Sequence, residues 1–208
     1  MRLRVCAAIA AGVAALLLGT AAGAELRVLC LGDSLTEGYG VEPEQSYPAV
    51  LEQRLHAAGR GDVRVVNAGI SGSTTASAYS RLRWQLRAGP DVVVLALGGN
   101  DGLRGLDLAE SKKNLSQTIE LARQNGLAVL LAGMKIPTNY GPDYTKAFER
   151  IFPELASEHE VALIPFLLEG VAAQPGLNLP DGIHPNASGY LRVADNVLEV
   201  LLPLLPAP

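Results

Sequence analysis

Five short runs of apolar, largely β-branched residues punctuate the chain: Leu26–Leu31, Val63–Val66, Asp91–Leu97, Leu127–Ala132 and Val161–Pro165. Apolar residues fill consecutive positions in them, as expected for strands covered on both faces. Between the runs lie stretches with helical spacing, over residues 46–58, 74–88, 107–125, 143–159 and 186–202. In the third, Leu108, Leu115, Ile119 and Ala122 fall on one face. Asp107 with Glu110 reads as a capping box at its start, and Gly126 as its stop. This regular alternation predicts an α/β fold, a three-layer sandwich around a five-stranded parallel sheet. Its crossovers should be right-handed. The apolar, Pro-rich tail Leu201–Pro208 is expected to lie along the surface after the last helix.

The first residues follow a different pattern. Arg2 and Arg4 precede the nearly all-apolar stretch Val5–Leu18, and Ala22-Gly23-Ala24 has the small-x-small form of a cleavage site. Residues 1–24 are therefore expected to be a secretory signal peptide, which sends the product to the periplasm or outside the cell. The apolar stretch is short for a stable span of ~20 residues. Cleavage leaves 184 of the 208 residues, one domain over 25–208 with ample core. Without the two leader arginines, 15 basic residues face 21 acidic ones, a net charge of −6. No Lys/Arg run exists, which argues against a nucleic-acid partner. Cys30 is then the one remaining cysteine, so no internal disulfide forms. It reads as a small buried residue of the first strand. A monomer is expected.

Ligands of open α/β sheets bind beyond the carboxyl ends of the strands, so the segments that follow each run carry the chemistry. After the first come Gly32, Asp33 and Ser34; after the second "NAGISGST", with Gly69 and Gly72; after the third "GGND", residues 98–101. The fourth is followed by the loop "GMKIPTNYGPDY", and the fifth by an irregular segment ending in "DGIHP", residues 181–185. All would face one crevice. Asp181 and His184, three residues apart, can bring a carboxylate to the imidazole Nδ1 and leave Nε2 to face Ser34. A serine hydroxyl needs such a base to attack at neutral pH. The Ser34 N–H, the Gly72 N–H and the Asn100 amide are the donors available to a developing oxyanion, and Gly72 suits a close backbone approach.

The remaining candidates fall away. His56 and His159 lie on helical stretches among charged residues and read as solvated. Asp33 and Asp101 read as scaffolding for loop backbone. No His-Glu-x-x-His or Cys/His cluster supports a metal, and the glycines near 32–40 and 98–105 do not fit G-x-G-x-x-G, so no cofactor is expected. The lipase-type G-x-S-x-G elbow is absent at Ser34.

These four blocks together resemble the SGNH, or GDSL, hydrolase superfamily: Ser34 in "GDSL", Gly72 in "ISG", Asn100 in "GGND" and His184 in "DGIH". Within it, "GGNDGLRG", "IPTNYGPDY" and "LPDGIHPN" are most similar to the periplasmic thioesterase–lysophospholipase–arylesterase group of Gram-negative bacteria. The resemblance implies a flavodoxin-like sheet of order 2-1-3-4-5 and an esterase that works through an acyl-serine without a cofactor. It also implies Asp181 as the third triad member. The substrate would be a small acyl ester or lipid, including aryl esters, acyl thioesters and lysophospholipids. Leu103, Met134, Ile136, Pro137 and Tyr140 could line a groove leading from Ser34, or could merely pin their loops. Two alternatives stand beside the esterase: a carbohydrate O-deacetylase on the same scaffold, and a flavodoxin-like module that only binds.

Overall fold

The computed structural model describes residues 25–207, so the expected signal peptide lies outside the described residues. Five parallel strands form one sheet: β1 (Leu26–Gly32), β2 (Val63–Gly69), β3 (Val92–Ala96), β4 (Ala128–Ala132) and β5 (Ala162–Ile164), in the order β2-β1-β3-β4-β5. Among the described residues the α-helices are α1 (Ser34–Glu37), α2 (Tyr47–Ala57), α3 (Ala78–Gln85), α4 (Gly99–Leu103), α5 (Leu108–Gln124), α6 (Pro142–His159) and α7 (Ala187–Leu201). α2 packs on α7, while α5 packs on both α3 and α6. Right-handed crossovers put these two groups on opposite faces, because the chain reverses direction along the sheet after β2. That yields three layers, as the hydrophobic runs predict.

Every residue of β3 is buried, and β1 exposes only Arg27. Five helical stretches also lie where the periodicity puts them. β2 is longer than its apolar run: it continues through Asn67 to Gly69, in register with Cys30–Gly32 of β1. Backbone pairing needs no apolar side chain, and an edge strand tolerates an exposed Asn. α5 begins with Asp107 accepting from the Ala109 and Glu110 amides at 2.7 and 3.3 Å. Glu110 turns outward to Lys113 at 3.2 Å, so the capping box has only its Asp arm. The tail expected along the surface tucks Leu205 into the core, at 8% exposure.

Cys30 is fully buried, and burial pushes its thiol up to about 12 despite a hydrogen bond with Tyr47. A thiol held neutral in this way packs as an apolar residue and is no nucleophile. No helix among the described residues is long and apolar enough to cross a membrane.

The fold leaves one consequence for chemistry. β1 and β3 lie side by side, with β2 and β4 outside them, so Ser34, Gly72 and Asn100 all emerge at one sheet edge. The connections that follow β1 and β3 leave in opposite directions along the sheet, and such a switch point is where open sheets form a crevice.

Candidate active site

Ser34 owes its position to a turn that only glycine permits. A Cβ on Gly32 would lie 1.9 Å from Thr36 Oγ1 and 2.9 Å from the Ala96 carbonyl oxygen. β1 therefore folds straight back into α1. Asp33 caps that helix: its carboxylate accepts from the Leu35 amide at 3.0 Å, and its carbonyl accepts from Glu37 at 2.9 Å. The capping is thus done by Asp33, which leaves the Ser34 side chain free for other work. Asp33 is only 2% exposed, and burial pushes its carboxyl up to about 6.

The segment after β5 is irregular, yet it is pinned. Leu179 N–H donates to the His184 carbonyl at 2.7 Å, and Asn186 N–H to that of Leu177 at 3.0 Å. Asn186 then caps α7 by accepting from Gly189 at 3.0 Å. Within this loop Asp181 accepts from the Ile183 and His184 amides, at 2.9 and 3.0 Å, and from His184 Nδ1 at 2.7 Å. Partial burial works to raise the Asp181 carboxyl, but these donors outweigh it and hold it at about 2. The ionised carboxylate keeps the proton on Nδ1, so Nε2 accepts from the Ser34 hydroxyl, 2.9 Å away.

Ser34, His184 and Asp181 are thereby joined in one chain of hydrogen bonds, in the sense that spacing alone suggested. His56 and His159 are elsewhere. His56 Nε2 meets the Val63 carbonyl at 2.9 Å, and His159 Nε2 meets Ser116 Oγ at 2.8 Å. His159 is accordingly half-buried rather than solvated.

The groups expected to receive an oxyanion also lie at this edge. Among the described residues, neither the Ser34 nor the Gly72 amide N–H has an acceptor. Asn100 Nδ2 donates to the Ser73 carbonyl at 3.0 Å and, more weakly, to Asp33 at 3.3 Å. Arg104 Nη2 donates to the Gly72 carbonyl at 3.0 Å, tying that loop to the end of α4. Gly72 has φ +76°, and a Cβ there would meet only Arg104 Nη2 at 3.5 Å. Its positive φ is a backbone conformation that favours glycine. Asp101 is buried and accepts from Thr75 N–H at 3.0 Å, Thr75 Oγ1 at 2.6 Å and Ser111 Oγ at 3.1 Å. It anchors the segment after Gly72 to α4 and α5.

A cavity of about 360 Å³ opens beside this array, lined by Leu35, Leu103, Met134, Ile136, Pro137, Phe166 and Ile183, among others. Its lining includes Leu35 and Ile183, the sequence neighbours of Ser34 and His184. Four of the five expected groove residues, Leu103, Met134, Ile136 and Pro137, lie on its wall. Tyr140 does not. Its hydroxyl donates to the Leu103 carbonyl at 2.7 Å and its ring lies 6.4 Å from that of Tyr144. The short helical turn Thr138–Tyr140 swings this ring outward, so Tyr140 pins the loop. Phe166, beyond β5, was missed in the sequence because no periodicity marks an irregular segment.

Tyr39 was missed as well. Its ring rests against the His184 imidazole with centroids 4.6 Å apart and planes at 42°. Position five after Ser34 carries no spacing rule that could have revealed it. Among the described residues no group of three or more His, Cys, Asp or Glu is placed to hold a metal ion.

The arrangement can transfer a proton from a serine hydroxyl to an imidazole and offer amide donors to a nascent oxyanion. Known proteins resemble this chain in sequence and fold. The sequence model of the GDSL-like Lipase/Acylhydrolase family matches residues 30–192. The chain is 43% identical to Esterase TesA of Pseudomonas aeruginosa, over 93% of this chain and 96% of that protein. It is 37% identical to the Thioesterase 1/protease 1/lysophospholipase L1 of Escherichia coli K12, over 86% and 84%. A crystal structure of TesA superposes with a TM-score of 0.83 at 43% identity, covering 86% of this chain and 99% of that one.

Proposed function

Since the chain belongs to the GDSL-like lipase/acylhydrolase family and is a carboxylic ester hydrolase of SGNH type, we propose that it cleaves acyl and aryl esters through an acyl-serine. The same site would take acyl thioesters and lysophospholipids, in keeping with the names of its relatives. Ser34 is the nucleophile, His184 the general base and then acid, and Asp181 the group that orients it. The observation carrying this reading is the 2.9 Å contact between His184 Nε2 and Ser34 Oγ.

Ser34 Oγ attacks the acyl carbonyl carbon while its proton passes to Nε2. The carbonyl π electrons move to oxygen, to which the free Ser34 and Gly72 N–H groups donate, together with the Asn100 N–H that gives up its weaker 3.3 Å bond to Asp33. Each such donor contributes roughly 3–4 kcal/mol in the transition state. Collapse expels the alcohol, which takes the proton from His184. Water then repeats the sequence on the acyl-serine and releases the acid. Asp181 stays ionised throughout, as its low carboxyl pKa of about 2 supports.

The acyl chain lies in the cavity walled by Leu103, Met134, Ile136 and Pro137. The apolar character of that wall favours an acyl ester over a sugar acetate. Residues 1–24 serve as a signal peptide, and the mature protein, beginning at Glu25, works in the periplasm or beyond. The arginine-led apolar stretch supports this, and the intact mass of exported protein tests it.

A fluorophosphonate tests the central reading. It should label Ser34 stoichiometrically in the wild type and leave Ser34→Ala unlabelled and inactive against 4-nitrophenyl esters. Labelling at another residue, or turnover by Ser34→Ala, overturns it.

A further inference from the structure

One half-buried arginine is unaccounted for by the proposed chemistry. Arg81 lies on α3, outside the array of Ser34, His184 and Asp181. Its Nη2 donates to the Gly32 carbonyl at 2.9 Å and also to the Ala68 carbonyl. Its Nη1 is buried without an acceptor among the described residues. Burial pulls the guanidinium pKa down, and the nearby Asp33 carboxylate works against that.

The two carbonyls are not arbitrary. Gly32 and Gly69 are the last paired residues of β1 and β2, one residue beyond Leu31 and Ala68. Past this rung the sheet ladder stops, and one backbone bond, from Ile70 N–H to the Gly32 carbonyl at 3.2 Å, still links the two chains. One chain then runs through Asp33 to Ser34, the other to Gly72. The first supplies the hydroxyl and an amide N–H; the second supplies the other backbone donor. Arg81 ties the last rungs of the ladder together, next to the point where sheet pairing ends.

A partnerless buried N–H is expensive, and natural structures rarely keep one without cause. Where stability is the only concern, an apolar side chain of similar size commonly does as well or better. Arg81 supplies what an apolar side chain cannot: a single nitrogen that bonds both strand ends at once.

We propose that Arg81 is a positioning residue for ester hydrolysis, a staple between the ends of β1 and β2 that sets the Ser34 hydroxyl against the Gly72 N–H. It touches no substrate and acts through those two segments. This rests on Ser34 being the nucleophile. A displacement of about 1 Å at a reacting centre can cost on the order of 10²-fold in rate.

The test uses Arg81→Met and Arg81→Lys, with kcat counted per site titrated by fluorophosphonate, so that unfolded protein drops out. Arg81→Met should lose ~10–100-fold in kcat with KM within about twofold. An arylboronic acid, which mimics the tetrahedral state, should weaken by a similar factor. Arg81→Lys should recover most of the loss, since one ammonium can donate to both carbonyls. Wild-type kcat per titrated site in Arg81→Met overturns the inference. So does a loss that appears only in KM, or in the number of titratable sites. Ser34→Ala is run alongside: turnover there would sink the nucleophile assignment, whereas an inert Ser34→Ala beside a normal Arg81→Met would sink the staple alone.

Discussion

His184 Nε2 and Ser34 Oγ lie 2.9 Å apart across 150 residues of chain, and each is fixed from behind by a different aspartate. Asp33 caps the turn that carries Ser34, and Asp181 gathers two amides and the imidazole of its own loop. The two halves are built independently and meet only through the fold. Variants can therefore disturb one while leaving the other in place.

Asp181→Asn tests the orienting half. An amide cannot hold Nδ1–H as the carboxylate does, so kcat should fall by ~10²–10⁴-fold while the protein stays folded. The acid limb of stability should change too. The Asp181 carboxyl is depressed from 3.8 to about 2. Its contribution is complete above 3.8 and is lost as pH falls toward 2, so a depressed carboxyl protects against acid only above that window. Thermal melts between pH 4 and pH 2 should be flatter for Asp181→Asn than for the wild type. Equal activity in the two proteins would remove Asp181 from the reaction.

Asp33→Asn addresses the other aspartate with the opposite sign. Burial raises its carboxyl from 3.8 to about 6. Below 3.8 the acid is neutral in both folded and unfolded chains. As pH rises to about 6, ionisation draws the balance toward the unfolded chain by on the order of 3 kcal/mol. The melting temperature of the wild type relative to Asp33→Asn should thus fall between pH 4 and pH 7. A difference independent of pH would mean that Asp33 is ionised at little cost.

Asn100→Ala removes one oxyanion donor and one anchor of the Ser73 carbonyl. The expected loss is ~10²–10³-fold in kcat with little change in KM, because an oxyanion exists only in the transition state. Steady-state kinetics on 4-nitrophenyl butyrate would decide. A change confined to KM would assign Asn100 to ground-state binding.

Chain length probes the cavity. Each buried methylene contributes up to ~0.8 kcal/mol, so four of them, from acetyl to hexanoyl, add at most ~3 kcal/mol. kcat/KM on aryl esters should rise by one order of magnitude or more over that series. Leu103→Asp, on a half-buried wall position, should erode the rise while sparing the acetyl ester. Ile136 is a poorer choice, being 6% exposed and packed into the core. A flat or falling series would favour the O-deacetylase.

The strands, the helices and the side chains that meet at one sheet edge were readable from local pattern. Hydrophobic period depends only on which residues face the core. The Asp181/His184 pairing follows from a three-residue spacing, because both partners sit in one short loop. Tyr39 against His184, Tyr140 turned away from the cavity, Phe166 on its wall and Arg81 between two strand ends were not readable. Each of these contacts joins elements that sequence separation leaves unrelated, and nothing in a local period encodes where a side chain points across the sheet edge. The sequence by itself determined an α/β sandwich with a serine, a histidine and their donors at one edge. Only the tertiary structure decided that Asp33, and not Ser34, does the capping, which leaves the hydroxyl to the imidazole. It decided as well that Gly72 takes a positive φ, which favours glycine there. Both outcomes are set by how packed elements converge, a property of three-dimensional contacts.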